Sequence, residues 1–180
     1  AMDVYGEGKL TSDAAMANMW MTQVLEDQDM LMARCRLILN DFGDQLAVNR
    51  DNLAAIGYCF GGKVVLDMAR EGMPLKAVAT FHGNPSAKQP ADKNFKAKVL
   101  VAHGRDDSMV SMEAIEGLKS ELDAADVDYT IDVYDNAKHG FTNPHADERA
   151  AKNGVDLGYN EAAAKQSWEN MLEFMKSNLA

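Results

Sequence analysis

A cysteine framed by glycines is the residue of this sequence that most invites a chemical interpretation. Cys59 lies in the sequence GYCFGG at positions 57–62, between an apolar run and a helical pattern. A sharp strand-to-helix turn of this kind holds its central side chain in the open, and the flanking glycines avoid collisions within the turn. The helix N-terminus beneath the sulfur favours a thiolate and lowers the thiol pKa. The pattern therefore predicts a nucleophile, with a glycine-rich turn around a buried cysteine as the alternative.

A pair of carboxylates and a histidine come after the cysteine along the chain and could complete a catalytic set. Asp106 and Asp107 come shortly after one apolar run, and His139 comes after the next. A cysteine needs a base for its proton, and the base needs a carboxylate that fixes its tautomer and stabilises the imidazolium. We predict His139 as the base and Asp107, three residues after Gly104, as its partner, with Asp106 as the alternative. The order nucleophile, acid, histidine is that of α/β-hydrolases.

The three other histidines have weaker claims to a catalytic role. His82 and His103 directly follow strand-like runs and could line a pocket, but histidines in such positions mostly make local hydrogen bonds. His145 follows His139 by six residues in a polar segment, and this spacing gives no support for a metal pair. The sequence contains no glycine-rich phosphate loop and no dinucleotide fingerprint. We therefore predict neither a metal nor a cofactor.

The candidate residues stand at the ends of short apolar runs, which predict the strands of a sheet. Three runs are nearly continuous in apolar residues, as in strands buried on both faces, and the fourth alternates with a period of two, as in an edge strand. Helical patterns separate and follow the runs, so the predicted fold class is α/β, with a parallel sheet of about four strands flanked by helices. The predicted strands are 53–58, 77–81, 99–102 and 129–134, and the predicted helices between and after them are 61–71, 112–124 and 161–178. Because functional groups gather at the carboxyl ends of parallel strands, we expect the candidate residues to converge there.

The residues before the first strand predict helices. Ser12 or Asp13 can accept hydrogen bonds from the first turn of a helix, and apolar residues then recur at intervals of three and four. The acidic stretch 26–29 predicts a break or a bend. Cys35 lies within the apolar face of the continuing helix, so we interpret it as part of the core.

The composition excludes several classes of protein. The 180 residues are 47% hydrophobic and 26% charged, as in a globular chain, and their number fits a single domain spanning 1–180. The net charge of −10, without a Lys/Arg cluster, argues against nucleic acid and anionic membranes as partners. No apolar run approaches the ~18 residues of a membrane span. Two cysteines are too few for a disulfide scaffold or a cysteine zinc site, and without a signal-peptide pattern we expect a cytoplasmic protein.

Taken together, the motifs resemble those of the dienelactone hydrolase family. The resemblance rests on the elbow at 57–62, on HGRDD at 103–107 and on HGF at 139–141. It continues through the segment 159–168, which is similar to the family's C-terminal helix, and it covers essentially the whole chain. The elbow is its most specific part.

This resemblance implies a fold, an activity and a set of site residues. The fold is a shortened α/β-hydrolase core, and the activity is cleavage of small-molecule lactones or activated esters by a cysteine nucleophile, without metal or cofactor. The resemblance implies Cys59, Asp107 and His139 as the catalytic triad. The backbone N–H of Phe60 is implied as an oxyanion-hole donor.

Compared with the family, the sequence is short at its N-terminus. The stretch 2–8 is similar to the segment after the family's fourth strand, so we expect the first half of the usual sheet to be absent. A second oxyanion-hole donor and an acidic residue that manages the resting cysteine would be absent with it, and losing one such donor costs about 10²–10³-fold in rate. The strand 53–58 would then have one neighbour, and its uncharged edge invites pairing with another chain. We expect a homo-oligomer, for instance a dimer, joined near this edge.

Two other interpretations compete with an active hydrolase. The chain could be an inactive form of the fold that serves as a binding or assembly module, since it keeps the elbow but lacks part of the pocket. Glutamine-amidotransferase-like proteins also place a cysteine at a strand-to-helix elbow, but the GYCFGG sequence and the late order of aspartate and histidine argue against them. Reaction of Cys59 with thiol reagents well below the pH at which Cys35 reacts would favour the enzyme.

Overall fold

Two helices form most of the first of two compact units. A computed structural model describes residues 1–45 and 48–179, the side chains of 42–45 excepted, and the chain divides into units 1–50 and 51–180. Asp13 begins α1 (Ala14–Glu26) by accepting a hydrogen bond from the Met16 N–H at 2.8 Å. Asp27 interrupts the helical chain and accepts a hydrogen bond from Met30 N–H in the first turn of α2 (Gln28–Gln45). The expected cap and the expected break are therefore both present.

A four-stranded parallel sheet forms the centre of the second unit and confirms the predicted fold class. Its strands lie in the order β1-β2-β3-β4, so each pairs with its neighbour in sequence. They are β1 (Ala54–Tyr58), β2 (Ala77–Phe81), β3 (Lys98–Gly104) and β4 (Tyr129–Tyr134). β2 and β3 are buried almost throughout, whereas β1 and β4 are half-buried. Among the described strands β1 pairs with β2 alone, as expected from the short N-terminus. Its apolar run also predicted burial on both faces, but Ile56 and Tyr58 are exposed.

The helices of this unit cover the two faces of the sheet. They are α3 (Phe60–Arg70), α4 (Met112–Ala124), α5 (Ala146–Asn153) and α6 (Glu161–Leu179). α6 packs on the face that presents Phe81, within a core of Ala79, Phe81, Leu100, Ala102, Tyr134, Ala137, Phe141, Ala163 and Met171. α3 packs on the opposite face, where Thr80 approaches Gly62. α3, α4 and α6 lie within one residue of the predicted bounds.

α5 is the one helix among the described residues of this unit that the sequence did not predict. Its eight residues, ADERAAKN, have alanine as their only apolar type and so show no clear apolar stripe. Of the helices that the structure describes, none is long and apolar enough to cross a membrane.

Candidate active site

The turn between β1 and α3 holds Cys59 in a strained backbone conformation. Its φ is +51° and its ψ is −119°, a region that residues other than glycine rarely adopt. The Cys59 N–H donates to the Phe81 carbonyl at 3.0 Å, and the Cys59 carbonyl accepts from Gly62 N–H at 3.0 Å. A Cβ on Gly57 would lie 2.6 Å from the Gly62 nitrogen and still closer to the Gly61 carbonyl. Only glycine therefore lets the end of β1 pass so close beneath the first turn of α3.

His139 and Asp107 form a hydrogen-bonded pair next to this turn. His139 Nδ1 lies 2.9 Å from Asp107 Oδ2, and both side chains are buried. The other carboxylate oxygen of Asp107 accepts hydrogen bonds from the backbone N–H groups of Met109 and Val110, at 2.8 and 3.0 Å. Asp106 is exposed. Of the two carboxylates that the sequence left open, the structure places Asp107 against the histidine.

Two imidazoles flank the thiol. Cys59 Sγ lies 3.3 Å from His82 Nδ1, and the sulfur and one nitrogen from each of His82 and His139 all lie within 4.8 Å of one another. His139 Nδ1 is engaged by Asp107, which leaves Nε2 for the sulfur. Within the described residues, this is the one cluster of metal-ligating groups whose spacing would suit a cation. The same arrangement serves proton exchange with the sulfur, which needs no cation.

The thiol and His139 shift each other's pKa in opposite directions. Burial raises the pKa of the Cys59 thiol, but hydrogen bonds to His139 and His82 outweigh burial and lower this pKa to about 6. Burial lowers the pKa of His139, but its hydrogen bonds to Asp107 and Cys59 outweigh burial and raise this pKa to about 10. At a pH between about 6 and about 10, the pair therefore rests as a Cys59 thiolate and a His139 imidazolium. Burial also raises the pKa of Asp107, but the hydrogen bond with His139 holds it below its usual value.

His82 is the residue of this site that the sequence reasoning undervalued. Its ring is 2% exposed, and its Nε2 lies 2.9 Å from Thr142 Oγ1. The ring meets His139 edge-on, with the centroids 5.1 Å apart. Its bonds therefore reach 23 residues back to Cys59 and 60 residues forward to Thr142, and are not local as expected. The available signal was its position directly after a strand, in the same place as the predicted site residues.

A close approach of two backbones brings His82 to the thiol. A Cβ on Gly83 would lie 2.9 Å from the Cα of Gly62, so the loop after β2 passes directly against the first turn of α3. Oγ1 of Thr80 fills the remaining space between these two glycines and has no hydrogen-bond partner within the described residues. Glycine at both positions is thus a steric requirement of the contact between His82 and Cys59.

Buried charges fasten the same loop to α3. The Lys63 ammonium donates to the Ser86 carbonyl at 2.7 Å, and the Arg70 guanidinium donates to the Pro85 carbonyl at 2.8 Å. Asp67 lies between the two cations and accepts a hydrogen bond from each, at 2.8 and 3.0 Å. Because every member is paired and hydrogen-bonded, the network tolerates burial and fixes the segment after His82.

The remaining predicted residues lie outside this cluster of contacts. His103 is 1% exposed, and neither ring nitrogen has a hydrogen-bond partner in the part of the chain that the structure describes. It therefore makes no side-chain hydrogen bond to the cluster. His145 is exposed before α5. Phe60 is the first residue of α3, and its part in an oxyanion hole stays a prediction.

Sequence comparison finds similar proteins across most of the chain. A sequence model of the dienelactone hydrolase family matches residues 1–179. An uncharacterised protein of Caenorhabditis elegans is 33% identical over 153 residues, which are 83% of this chain and 95% of that protein. A Salmonella typhimurium protein named "Putative carboxymethylenebutenolidase" is 33% identical over 131 residues. That match covers 68% of this chain but 45% of the relative, so the chain spans about half the length of the relatives with this name.

Structural comparison finds the same class of protein. A dienelactone hydrolase-like promiscuous phosphotriesterase from metagenomic libraries superposes with a TM-score of 0.90 at 31% identity. The match covers 100% of this chain and 74% of that structure. A Klebsiella pneumoniae structure named "Putative Dienelactone Hydrolase" has a TM-score of 0.63 at 25% identity, over 87% of this chain and 61% of that one.

Proposed function

The chain belongs to the dienelactone hydrolase family, and we propose from this that it hydrolyses small activated esters or lactones with Cys59 as the nucleophile. His139 carries the proton, and Asp107 orients and stabilises the imidazolium. One observation carries the proposal: His139 is hydrogen-bonded to a buried carboxylate and has a ring nitrogen within 4.8 Å of the strained thiol. A histidine that merely filled the core would need neither partner.

Acylation begins from the resting ion pair. The Cys59 thiolate attacks the carbonyl carbon, a carbon–sulfur bond forms, and the carbonyl electron pair moves to oxygen. The N–H of Phe60, at the N-terminus of α3, is the proposed donor to this oxyanion. When the intermediate collapses, the ester oxygen leaves and takes the proton of the His139 imidazolium. A thioester and neutral His139 remain, and a lactone keeps its new alcohol tethered to the acyl group.

Deacylation restores the resting state with water as the only co-reactant. Neutral His139 takes a proton from water while the water oxygen attacks the thioester carbon. The carbon–sulfur bond then breaks, the carboxylic acid leaves, and the sulfur departs as a thiolate beside the new imidazolium. Asp107, 2.9 Å from His139 Nδ1, stabilises that charge in both half-reactions.

A groove beside the cluster offers room for a small substrate. It has a volume of about 430 Å³, and four of its nine lining residues are aromatic. It is lined by Tyr58, Phe81, Thr142, Tyr159, Glu161, Ala164, Lys165, Ser167 and Trp168. Thr142 connects it to the cluster through the hydrogen bond to His82. We assign this groove to the apolar part of the substrate.

The test is a comparison of initial rates on p-nitrophenyl acetate and on a small lactone. We expect Cys59→Ala to abolish hydrolysis and Cys35→Ala to leave it nearly unchanged, because Cys35 is fully buried and was interpreted as core. Equal losses in the two variants would contradict a nucleophilic role for Cys59. A wild-type chain whose Cys59 reacts with iodoacetamide at pH 6 but which hydrolyses neither substrate would favour the binding module instead.

A further inference from the structure

The two imidazoles that flank Cys59 have different partners and therefore different chemistry. Asp107, a carboxylate, holds His139, whereas Thr142, a neutral hydroxyl, holds His82. A carboxylate stabilises the imidazolium, so His139 is suited to carry a proton. A hydroxyl carries no charge, and it can either donate to or accept from the ring nitrogen that it contacts. Among the described residues, the titratable groups that act on the sulfur are these two histidines, and Asp107 lies behind His139.

The hydrogen-bond chain fixes the tautomer of His82 once the sulfur is a thiolate. A thiolate has no proton and can only accept, so the His82 Nδ1 that lies 3.3 Å away must carry the hydrogen. In a neutral ring Nε2 is then an acceptor, and the Thr142 hydroxyl donates to it at 2.9 Å. The hydrogen bonds therefore all point in one direction: Thr142 donates to His82, and His82 donates to Cys59.

The backbone holds His82 in place at a conformational cost. Its φ of +40° is uncommon for a residue with a side chain, and its N–H donates to the Ala102 carbonyl at 2.9 Å. Such strain persists where the surrounding structure over-determines it, and it clusters at functional sites. Here that structure includes the Gly62–Gly83 approach and the buried charges that fasten residues 85 and 86 to α3.

We propose that His82 is a further catalytic residue, a permanent hydrogen-bond donor that keeps the Cys59 sulfur in its thiolate form, with Thr142 as the positioning residue that sets its tautomer. His82 transfers no proton in this role. It stabilises the nucleophile before attack, and it stabilises the same thiolate when the sulfur leaves the thioester carbon. The role rests on the proposed function in naming Cys59 as the nucleophile.

The test measures the thiol directly and uses no ester. The rate of Cys59 alkylation by iodoacetamide is followed against pH with EDTA present, and mass spectrometry identifies the modified residue. We expect a wild-type midpoint near 6. In His82→Phe, which keeps a ring but removes the N–H, we expect the midpoint to rise by about one unit, so that alkylation at pH 5 falls about tenfold. His82→Asn is the rescue variant, because its amide N–H can take the place of Nδ1–H and asparagine accepts a positive φ.

Two results would overturn the role of His82. An unchanged midpoint in a folded His82→Phe variant would show that the donor is not needed. A midpoint displaced equally in His82→Asn would show that ring packing, and not the hydrogen bond, matters.

If His82→Phe fails to fold by circular dichroism, Thr142→Val and Thr142→Ser take its place. We expect the valine variant to raise the midpoint and the serine variant to restore it, and no rise with valine would overturn the proposal. Loss of ester hydrolysis with these thiol midpoints intact would count against the proposed function alone.

Discussion

A methyl group added at Gly57 should break the site without touching any of its functional side chains. The new Cβ would lie 2.6 Å from the Gly62 nitrogen and closer still to the Gly61 carbonyl, and all of these atoms are backbone. No rotamer change can relieve such a contact. Gly61, in the same turn, has no atom within 4 Å of an added Cβ, so Gly61→Ala is the matched control.

The size of the effect can be worked out from these contacts. The first turn of α3 has to retreat by roughly one and a half ångströms before the contact of the new Cβ with the Gly61 carbonyl reaches the ordinary 3.4 Å. Forcing atoms into a well-packed region typically costs about 1–3 kcal/mol, and with a backbone neighbour we expect about 3 kcal/mol or more. For a chain of this length that lowers Tm by roughly 6–12 °C. Gly61→Ala should instead be neutral or stabilising by up to about 1 kcal/mol, because alanine is the better helix former.

Thermal unfolding by circular dichroism and alkylation of Cys59 together make the assay. In Gly57→Ala the opened turn should carry the sulfur away from both imidazoles, so the alkylation midpoint should move from about 6 toward the ordinary thiol value of 9.0. Gly61→Ala should keep the wild-type midpoint. A Gly57→Ala variant with wild-type Tm and wild-type midpoint would refute the reasoning, since it would mean that β1 and α3 are not closely apposed at this turn.

Three further predictions concern the triad, the pH dependence and the assembly. Asp107→Asn should lower kcat/KM by about 10³–10⁴-fold, because the His139 imidazolium loses its carboxylate, whereas exposed Asp106→Asn should stay near wild type; the reverse order would exchange their roles. kcat/KM should rise as the Cys59 thiol ionises near pH 6 and fall as His139 loses its proton near pH 10, and a decline already at pH 7 would contradict the ion pair. Light scattering at micromolar concentration should show a homo-oligomer that Ile56→Lys, on the half-exposed β1, dissociates; a wild-type monomer would contradict pairing at this edge.

The local sequence pattern was enough to predict most helices and strands, the tight turn around Cys59 and the pairing of His139 with a carboxylate. Apolar runs located the four strands, and helical spacing located α3, α4 and α6. α4 and α6 bury one face, whereas α3 is buried almost throughout. The elbow could be predicted because its close backbone contacts require glycines at fixed positions, and all of these positions lie within six consecutive residues. The partnership of Asp107 with His139 could be inferred from strand-end positions, although the choice between Asp106 and Asp107 depended on which carboxylate turned inward.

The second imidazole at Cys59 could be decided only by the tertiary structure. His82 is separated from Cys59 by 23 residues and from Thr142 by 60, and nothing local distinguishes it from His103, which also ends a strand and is buried without a partner in the described chain. The difference arises because β2 lies beside β1 and because Gly62 and Gly83 bring the loop after β2 against α3. Strand order and backbone approach are properties of the whole packed sheet, so a sequence pattern can mark both histidines as strand ends but cannot determine which one reaches the sulfur.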